Sequence, residues 1–201
     1  MKLYYAPAAC SMATHIVLNE AGLKFELDKV DLANKVTESG EDFSKINSNG
    51  YVPALTLDNG EILTEAALTL QYIADRIPQS SLIPKAGTME RYRLLEWLNF
   101  ISTELHKTLG PLFNPNITPE WKENQITIFS KRSDFLNQQF NGKKFLAGDQ
   151  FTIADAYLFT ILGWTTYHKI DMTAWPKLTD YMERIAMRPA VMKTLKAEGL
   201  V

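Results

Sequence analysis

The sequence predicts an α/β domain over residues 1–80 followed by an all-α domain over residues 87–201, a fold of α/β + all-α class. Three observations carry this. Up to about residue 80 strand-like and helical periods alternate, and beyond it every long segment has helical period. Between the two halves, Pro78-Gln79-Ser80-Ser81 and Pro84-Lys85-Ala86-Gly87 read as a linker. The 201 residues, 46% of them hydrophobic, are enough for one large domain or two small ones. The change of period decides for two.

Lys2 to Tyr5 is a short strand, and Ser11 to Glu20 a helix that ends at Ala21-Gly22. Phe25 to Val30 alternates as a strand does. Val52 to Leu57 and Glu61 to Leu63 form a hairpin across Asp58-Asn59-Gly60, where Asn59-Gly60 suits positive φ. Pro53 cannot donate to a ladder, so it belongs at the first residue of a strand or on an edge. Glu65 to Arg76 is helical. Strand, helix, strand, hairpin and helix is the order of a thioredoxin-like fold. In the second half a helix begins near Thr88. Thr152-Ile153-Ala154-Asp155 has the form of a capping box, with Phe151 at the staple position and only Ala156 as its partner. The box accounts for Asp155 as a structural acid. Trp175-Pro176 starts a further helix and Arg188-Pro189 ends it.

Four features point to chemistry. First, X-Pro is the one peptide bond for which cis is cheap. A cis Val52–Pro53 would turn the backbone N–H and C=O of Val52 toward a cleft, where an extended peptide pairs as one more strand would. Second, the amides that open the next helix, after Glu65, favour a carboxylate. Third, Cys10 lies at the mouth of the first helix. A lone cysteine is most often a small buried hydrophobe, but a helix N-terminus stabilises a thiolate. Ser11 and, more weakly, Tyr5 are rival donors there. Fourth, Leu94, Leu98, Ile101 and Leu105 form an apolar core stripe, while Asn99, Thr103 and His106 follow i, i+4, i+7 on another face. Such a line is usually solvated, but Trp97 and Phe100 flank it, which suits the wall of a cleft. His15 and His168 read as ordinary helix residues.

Other classes are disfavoured. A net charge of −2 without a basic cluster argues against nucleic acid. No apolar run reaches the roughly 18 residues of a membrane span. Met1-Lys2-Leu3-Tyr4-Tyr5 runs straight into a strand with no signal region, and the expected location is cytoplasmic. The single cysteine excludes an internal disulfide, and three dispersed histidines suggest no metal site.

Taken with Glu65-Ala66, Glu104-Leu105-His106-Lys107 and the Thr-x-x-Asp box, these residues resemble the soluble glutathione transferases over nearly the whole chain. Cys10 together with His106 makes the bacterial beta class the nearest. The resemblance implies a homodimer with Arg91 near its interface, glutathione as co-substrate, and no metal. It implies Cys10 and His106 beside the glutathione sulfur, Val52 and Pro53 on its cysteinyl unit, Glu65 on the α-ammonium and the Ala66 amide on the α-carboxylate. Many relatives carry a hydroxyl residue at the position of Ala66. By the same resemblance Lys35 reaches the glycine carboxylate, and Asn99, Thr103 and Glu104 border the site, some from the partner subunit. His106 would then tune reactivity near neutral pH, where an ordinary imidazole titrates. The activity implied is attack of the glutathione thiol on an apolar electrophile, with disulfide exchange or peroxide reduction as further reactions. Phe113, Trp164 and Tyr167 would border the electrophile. The alternative is a non-catalytic binding module on the same fold.

Overall fold

The computed structural model describes residues 1–201 and divides into two compact units, Met1–Ser80 with Arg188–Val201, and Ser81–Met187. In the first unit the chain order is β1 (Lys2–Tyr5), α1 (Ser11–Glu20), β2 (Glu26–Asp31), β3 (Val36–Thr37), α2 (Phe43–Ile46), β4 (Ala54–Thr56), β5 (Ile62–Thr64) and α3 (Ala66–Asp75). The strands form one sheet in the order β3-β2-β1-β4-β5. β1 runs parallel to β2 and antiparallel to β4, with Leu3 opposite both Leu27 and Leu55. This is the thioredoxin-like arrangement that the element order predicts. The period does not reveal β3 and α2, which are two and four residues long and too short to show one. In the hairpin only Gly60 takes positive φ (86°), and its N–H meets Leu57 O at 3.0 Å.

Two hydroxyls tie α1 to α3: Thr14 Oγ1 and Thr69 Oγ1 lie 2.8 Å apart, fully buried, and Thr69 also donates to Ala66 O. The sequence boundary assigns residues 188–201 to the helical domain, but in the structure they belong with the first unit. Arg188-Pro189 closes one helix and opens another, α9 (Pro189–Ala197), whose partner is α1. The reason is a set of long-range polar pairs. Arg188 makes a two-pronged ion pair with Glu20 at 2.7 and 2.9 Å, and Asn19 donates to Thr194 Oγ1 at 2.9 Å. His15 Nδ1 sits 2.9 Å from Glu198 Oε1, with both side chains buried. Thus His15 is an anchor for the C-terminal segment rather than an ordinary helix residue.

The second unit is helical: α4 (Met89–Phe100), a π-helical turn (Ile101–His106), α5 (Lys107–Leu109), a 3-10 turn (Gly110–Phe113), α6 (Pro119–Gln139), α7 (Ile153–His168) and α8 (Pro176–Ala186). Thr88 caps α4 by accepting from Arg91 N. Leu94, Leu98, Ile101 and Leu105 are buried as the stripe requires. α7 is buried over most of its length, and no helix of the chain is long and apolar enough to cross a membrane. The capping box closes in full: Asp155 Oδ2 accepts from Thr152 N and Thr152 Oγ1, each at 2.8 Å. Phe151 finds a ring partner in Phe145 at 6.0 Å.

Asp155 does more than cap. Its Oδ1 also accepts from Leu146 N (2.8 Å) and Tyr181 Oη (3.2 Å), so removing the carboxylate strands several buried donors at once. Asp155→Ala is therefore expected to cost more than the roughly 0.5–2 kcal/mol of a lost cap, because each orphaned buried donor adds about 1–3 kcal/mol. Urea denaturation checks this; a loss within the capping range would reduce Asp155 to a simple cap.

Candidate active site

In the first unit the loop Ala6–Ala9 delivers Cys10 to the start of α1. The turn is closed by Ala9 N on Ala6 O (3.1 Å) and by the Ser11 hydroxyl, which accepts from Ala6 N (3.2 Å) and donates to Ala6 O (3.3 Å). Ser11 is fully buried in that double contact, which removes it as a rival donor to a bound sulfur. Tyr5 likewise belongs to the core, its ring edge-on to His15 at 6.0 Å. Ala8 takes a positive φ of 59°, and its N–H is held by Glu198 Oε2 at 2.9 Å, so the C-terminal segment fixes the loop that carries the cysteine.

The Cys10 thiol donates to Val52 O at 3.1 Å. Burial pushes the thiol up to about 12, and the nearby Glu65 charge adds to this, against the opposing pull of the Cys10 and Ser11 amides. Of the two states open to Cys10 at the helix mouth, thiol and thiolate, burial favours the thiol. The amides of one helix end contribute typically about 0.3–1 kcal/mol, too little to offset desolvation of the sulfur.

The first unit also carries the other residues expected of it. The Val52–Pro53 bond is cis, and the Val52 side chain is buried in a cluster with Phe43 and Ala54. Its carbonyl, expected to be open, holds the Cys10 thiol, whereas its N–H has no acceptor in the chain. Lys35 (φ 56°) donates from Nζ to Gly50 O at 2.9 Å, leaving two ammonium protons. Gly50 takes a φ of +66°, which suits glycine, and a Cβ there would lie 3.1 Å from the end of the Lys35 side chain, which would have to shift slightly. Glu65 sits at φ 68°, ψ 118°, a conformation that costs a non-glycine residue about 1–3 kcal/mol. Its carbonyl accepts from Leu68 N and Thr69 N, but its exposed side chain makes no capping bond. The strain turns β5 into α3 while leaving the carboxylate unspent, and the Ala66 amide opens the helix beside it.

The second unit carries Asn99, Thr103, Glu104 and His106. They do not share one open face, because the helix changes hand-over length between them: Lys107 N reaches back to Ser102 O in a π-helical bond. Such turns occur often at functional sites. The Thr103 hydroxyl donates to Asn99 O and the Thr108 hydroxyl to Glu104 O, contacts that loosen a regular α-helix. Asn99 and Thr103 are exposed, and Glu104 pairs with Arg132 of α6 at 2.7 Å. Trp97 and Phe100 pack on Phe135 of α6.

His106 turns inward instead. Its Nδ1 lies 2.7 Å from Tyr157 Oη, and its ring meets Tyr157 and Trp164 edge-to-face at 5.9 and 4.9 Å. Burial, with help from Lys107, pushes the imidazole down to about 4. It is neutral at physiological pH, so the expected titration near neutrality is corrected. Phe113 continues the aromatic surface, edge-on to Trp164 at 5.2 Å and tilted against Tyr167 at 6.3 Å. Phe113 and Tyr167 are half exposed.

Two partners escaped the sequence reading. Glu198 gives no local signal, since its contact with His15 spans 183 positions. Tyr157 lies in an apolar helix where an aromatic ring reads as core; only its hydroxyl, in a fully buried stretch, could have suggested a polar partner.

Comparison with known proteins places the chain in a family. The family model for the glutathione S-transferase N-terminal domain matches residues 9–76, and that for the C-terminal domain residues 100–189. Glutathione S-transferase GstA of Escherichia coli O157:H7 is 43% identical over the full length of both chains. Among solved structures, a bacterial beta class glutathione S-transferase of Sphingomonas chungbukensis is 48% identical with a TM-score of 0.97, each chain covered completely. A sphingomonad glutathione S-transferase complexed with glutathione is 49% identical with a TM-score of 0.96, again over all of both chains. With relatives of this identity across its whole length, the chain belongs to the glutathione S-transferase family and stands beside its bacterial beta class.

Proposed function

We propose that this glutathione transferase binds glutathione as an added strand and activates its thiol toward a flat, apolar electrophile, working as a cytoplasmic homodimer. The observation that carries the reading is the unpaired Val52 N–H together with the strained Glu65–Ala66 turn, which holds a free carboxylate and a free amide. A peptide laid along Val52 would pair through its cysteinyl carbonyl. Its α-ammonium would then meet Glu65 and its α-carboxylate the Ala66 amide, while Lys35 offers its two remaining protons to the glycine carboxylate. Asn99, Thr103 and Glu104 border the same ligand, some of them from the partner subunit. Phe113, Trp164 and Tyr167 present ring faces and edges that suit a flat apolar substrate.

Thiol activation follows from the states of Cys10 and His106. Glutathione's thiol, with a pKa of about 8.5, is only a few per cent ionised at pH 7. Making it about half thiolate or more takes roughly 2–3 kcal/mol. Each hydrogen bond to an ionised group supplies about 1.5–3 kcal/mol, so one or two donors suffice where a helix end alone does not. Cys10 as a thiol is such a donor, because its proton can swing from Val52 O to the glutathione sulfur. His106 supplies the second contact. In disulfide exchange the Cys10 sulfur would attack a glutathione disulfide, forming the Cys10–glutathione bond and releasing one glutathione as thiolate, with the Cys10 proton passing to solvent.

Three outcomes test this. Glu65→Ala should raise KM for glutathione at least roughly fivefold, the loss of one charge-assisted contact; an unchanged KM would remove Glu65 from the site. A panel of conjugation, peroxide reduction and disulfide exchange on purified protein separates enzyme from binding module. In that panel Cys10→Ala should abolish exchange and the covalent adduct, while conjugation falls only about 2–10-fold, one net hydrogen bond. Alkylation of Cys10 in the free protein gives a pH test. With the thiol raised to about 12, the rate should climb about tenfold per pH unit from pH 7 to 10 without a plateau. A plateau below pH 9, followed by mass spectrometry, would mean a stabilised thiolate after all.

A further inference from the structure

His106 has two nitrogens and, being neutral, one proton to place between them. Which nitrogen carries it decides what the ring offers a sulfur: a proton on Nε2 makes the free nitrogen a donor, and a proton on Nδ1 makes it an acceptor. Nδ1 is already engaged, 2.7 Å from the hydroxyl of Tyr157, and Tyr157 is 2% exposed. Two polarities are possible for that contact. The phenol is a far stronger acid than a neutral imidazole N–H, and the imidazole nitrogen a far stronger base than the phenolic oxygen. The matched arrangement is O–H donating to N.

The surrounding rings hold this arrangement in place. Tyr157 meets the imidazole nearly perpendicularly (89°), and Trp164, two turns further along α7, closes on it at 75°. Rotating the ring to exchange its edges would forfeit the Tyr157 bond and set a C–H against the hydroxyl.

We propose that Tyr157 is a positioning residue: by donating its hydroxyl proton to Nδ1 it fixes His106 as the Nε2–H tautomer, so that His106 meets the glutathione sulfur as a hydrogen-bond donor and not as a proton acceptor. This rests on the reading that His106 faces the sulfur, and it sharpens that reading. The thiol proton then leaves to solvent or buffer rather than to the imidazole, and His106 stabilises the thiolate that remains.

Nitrogen NMR of histidine side chains in the full-length protein tests the proposal, with His106 assigned by the signal lost in His106→Gln. The expected spectrum at neutral pH shows a protonated Nε2 and an unprotonated, hydrogen-bonded Nδ1. A protonated Nδ1 overturns the proposal from the wild-type protein alone, whether or not any variant folds. In Tyr157→Phe the Nδ1 signal should move to that of a free acceptor nitrogen. The kcat of conjugation should fall roughly 2–10-fold, one net hydrogen bond, with KM for glutathione within about twofold. An unmoved Nδ1, or an unchanged kcat where His106→Gln loses rate, also overturns it. Full activity in His106→Gln would overturn instead the placement of His106 at the sulfur, whichever tautomer the spectrum shows.

Discussion

The buried carboxylate of Asp155 is the constraint on which the second unit is built. It is fully buried and accepts from the loop before α7 through Leu146 N, from the Thr152 amide and hydroxyl at the cap, and from Tyr181 of α8. Burial pushes this carboxyl up, while the same donors pull it back toward the ionised form. An unpaired buried charge would be far too costly, so the four contacts form together or not at all. They start α7 at one residue and leave it no freedom of register. Tyr157 follows two positions later and Trp164 two turns beyond it, which is how one capping acid places both rings around His106 without touching the imidazole.

The first unit uses the same device at longer range. Glu198 bridges His15 on α1 and the amide of Ala8, so one carboxylate ties the end of the chain to the loop that carries Cys10. Ala8 at positive φ would be strained if that loop were free to relax, and the contact to Glu198 offsets the strain. The Arg188–Glu20 and Asn19–Thr194 pairs hold α9 in line for it. A segment that looks like a trailing helix is therefore part of the scaffold under the candidate nucleophile's loop.

How much of this was legible follows from the range of each interaction. Apart from the short β3 and α2, the order of strands and helices in the first unit, the hairpin at Gly60 and the cap at Asp155 are local, set by residues within a few positions, and are visible in the sequence. So were the places of Cys10 at the mouth of α1, Val52 before the proline and Glu65 at the start of α3. Their chemical states were not. The line Asn99, Thr103, His106 assumes an unbroken period of 3.6, and the π-helical turn at Ile101–His106 breaks it. The partner that engages His106 lies 51 positions away. Cys10 sits at the helix end its position suggests, but the enclosure that raises its thiol comes from packing, which no spacing records. The same holds for the C-terminal segment, whose place with the first unit depends on pairings more than 160 positions apart.

Burial acts on the charge of Cys10 and of His106, and in both it favours the neutral form. A thiolate at Cys10 and an imidazolium at His106 would each carry the desolvation cost of a buried ion in the free protein, several kcal/mol apiece. The structure holds both groups neutral, each already in a hydrogen bond with a neutral partner: Cys10 with Val52 O, His106 with Tyr157 Oη. A neutral donor is cheap to bury and can be turned toward an anion when one arrives. On the proposed reading the charge would enter with glutathione, whose own carboxylates and ammonium would supply the binding energy that carries its sulfur to such donors. On this account the protein does not store a reactive anion. It stores oriented protons, and the substrate provides the negative charge that makes them useful.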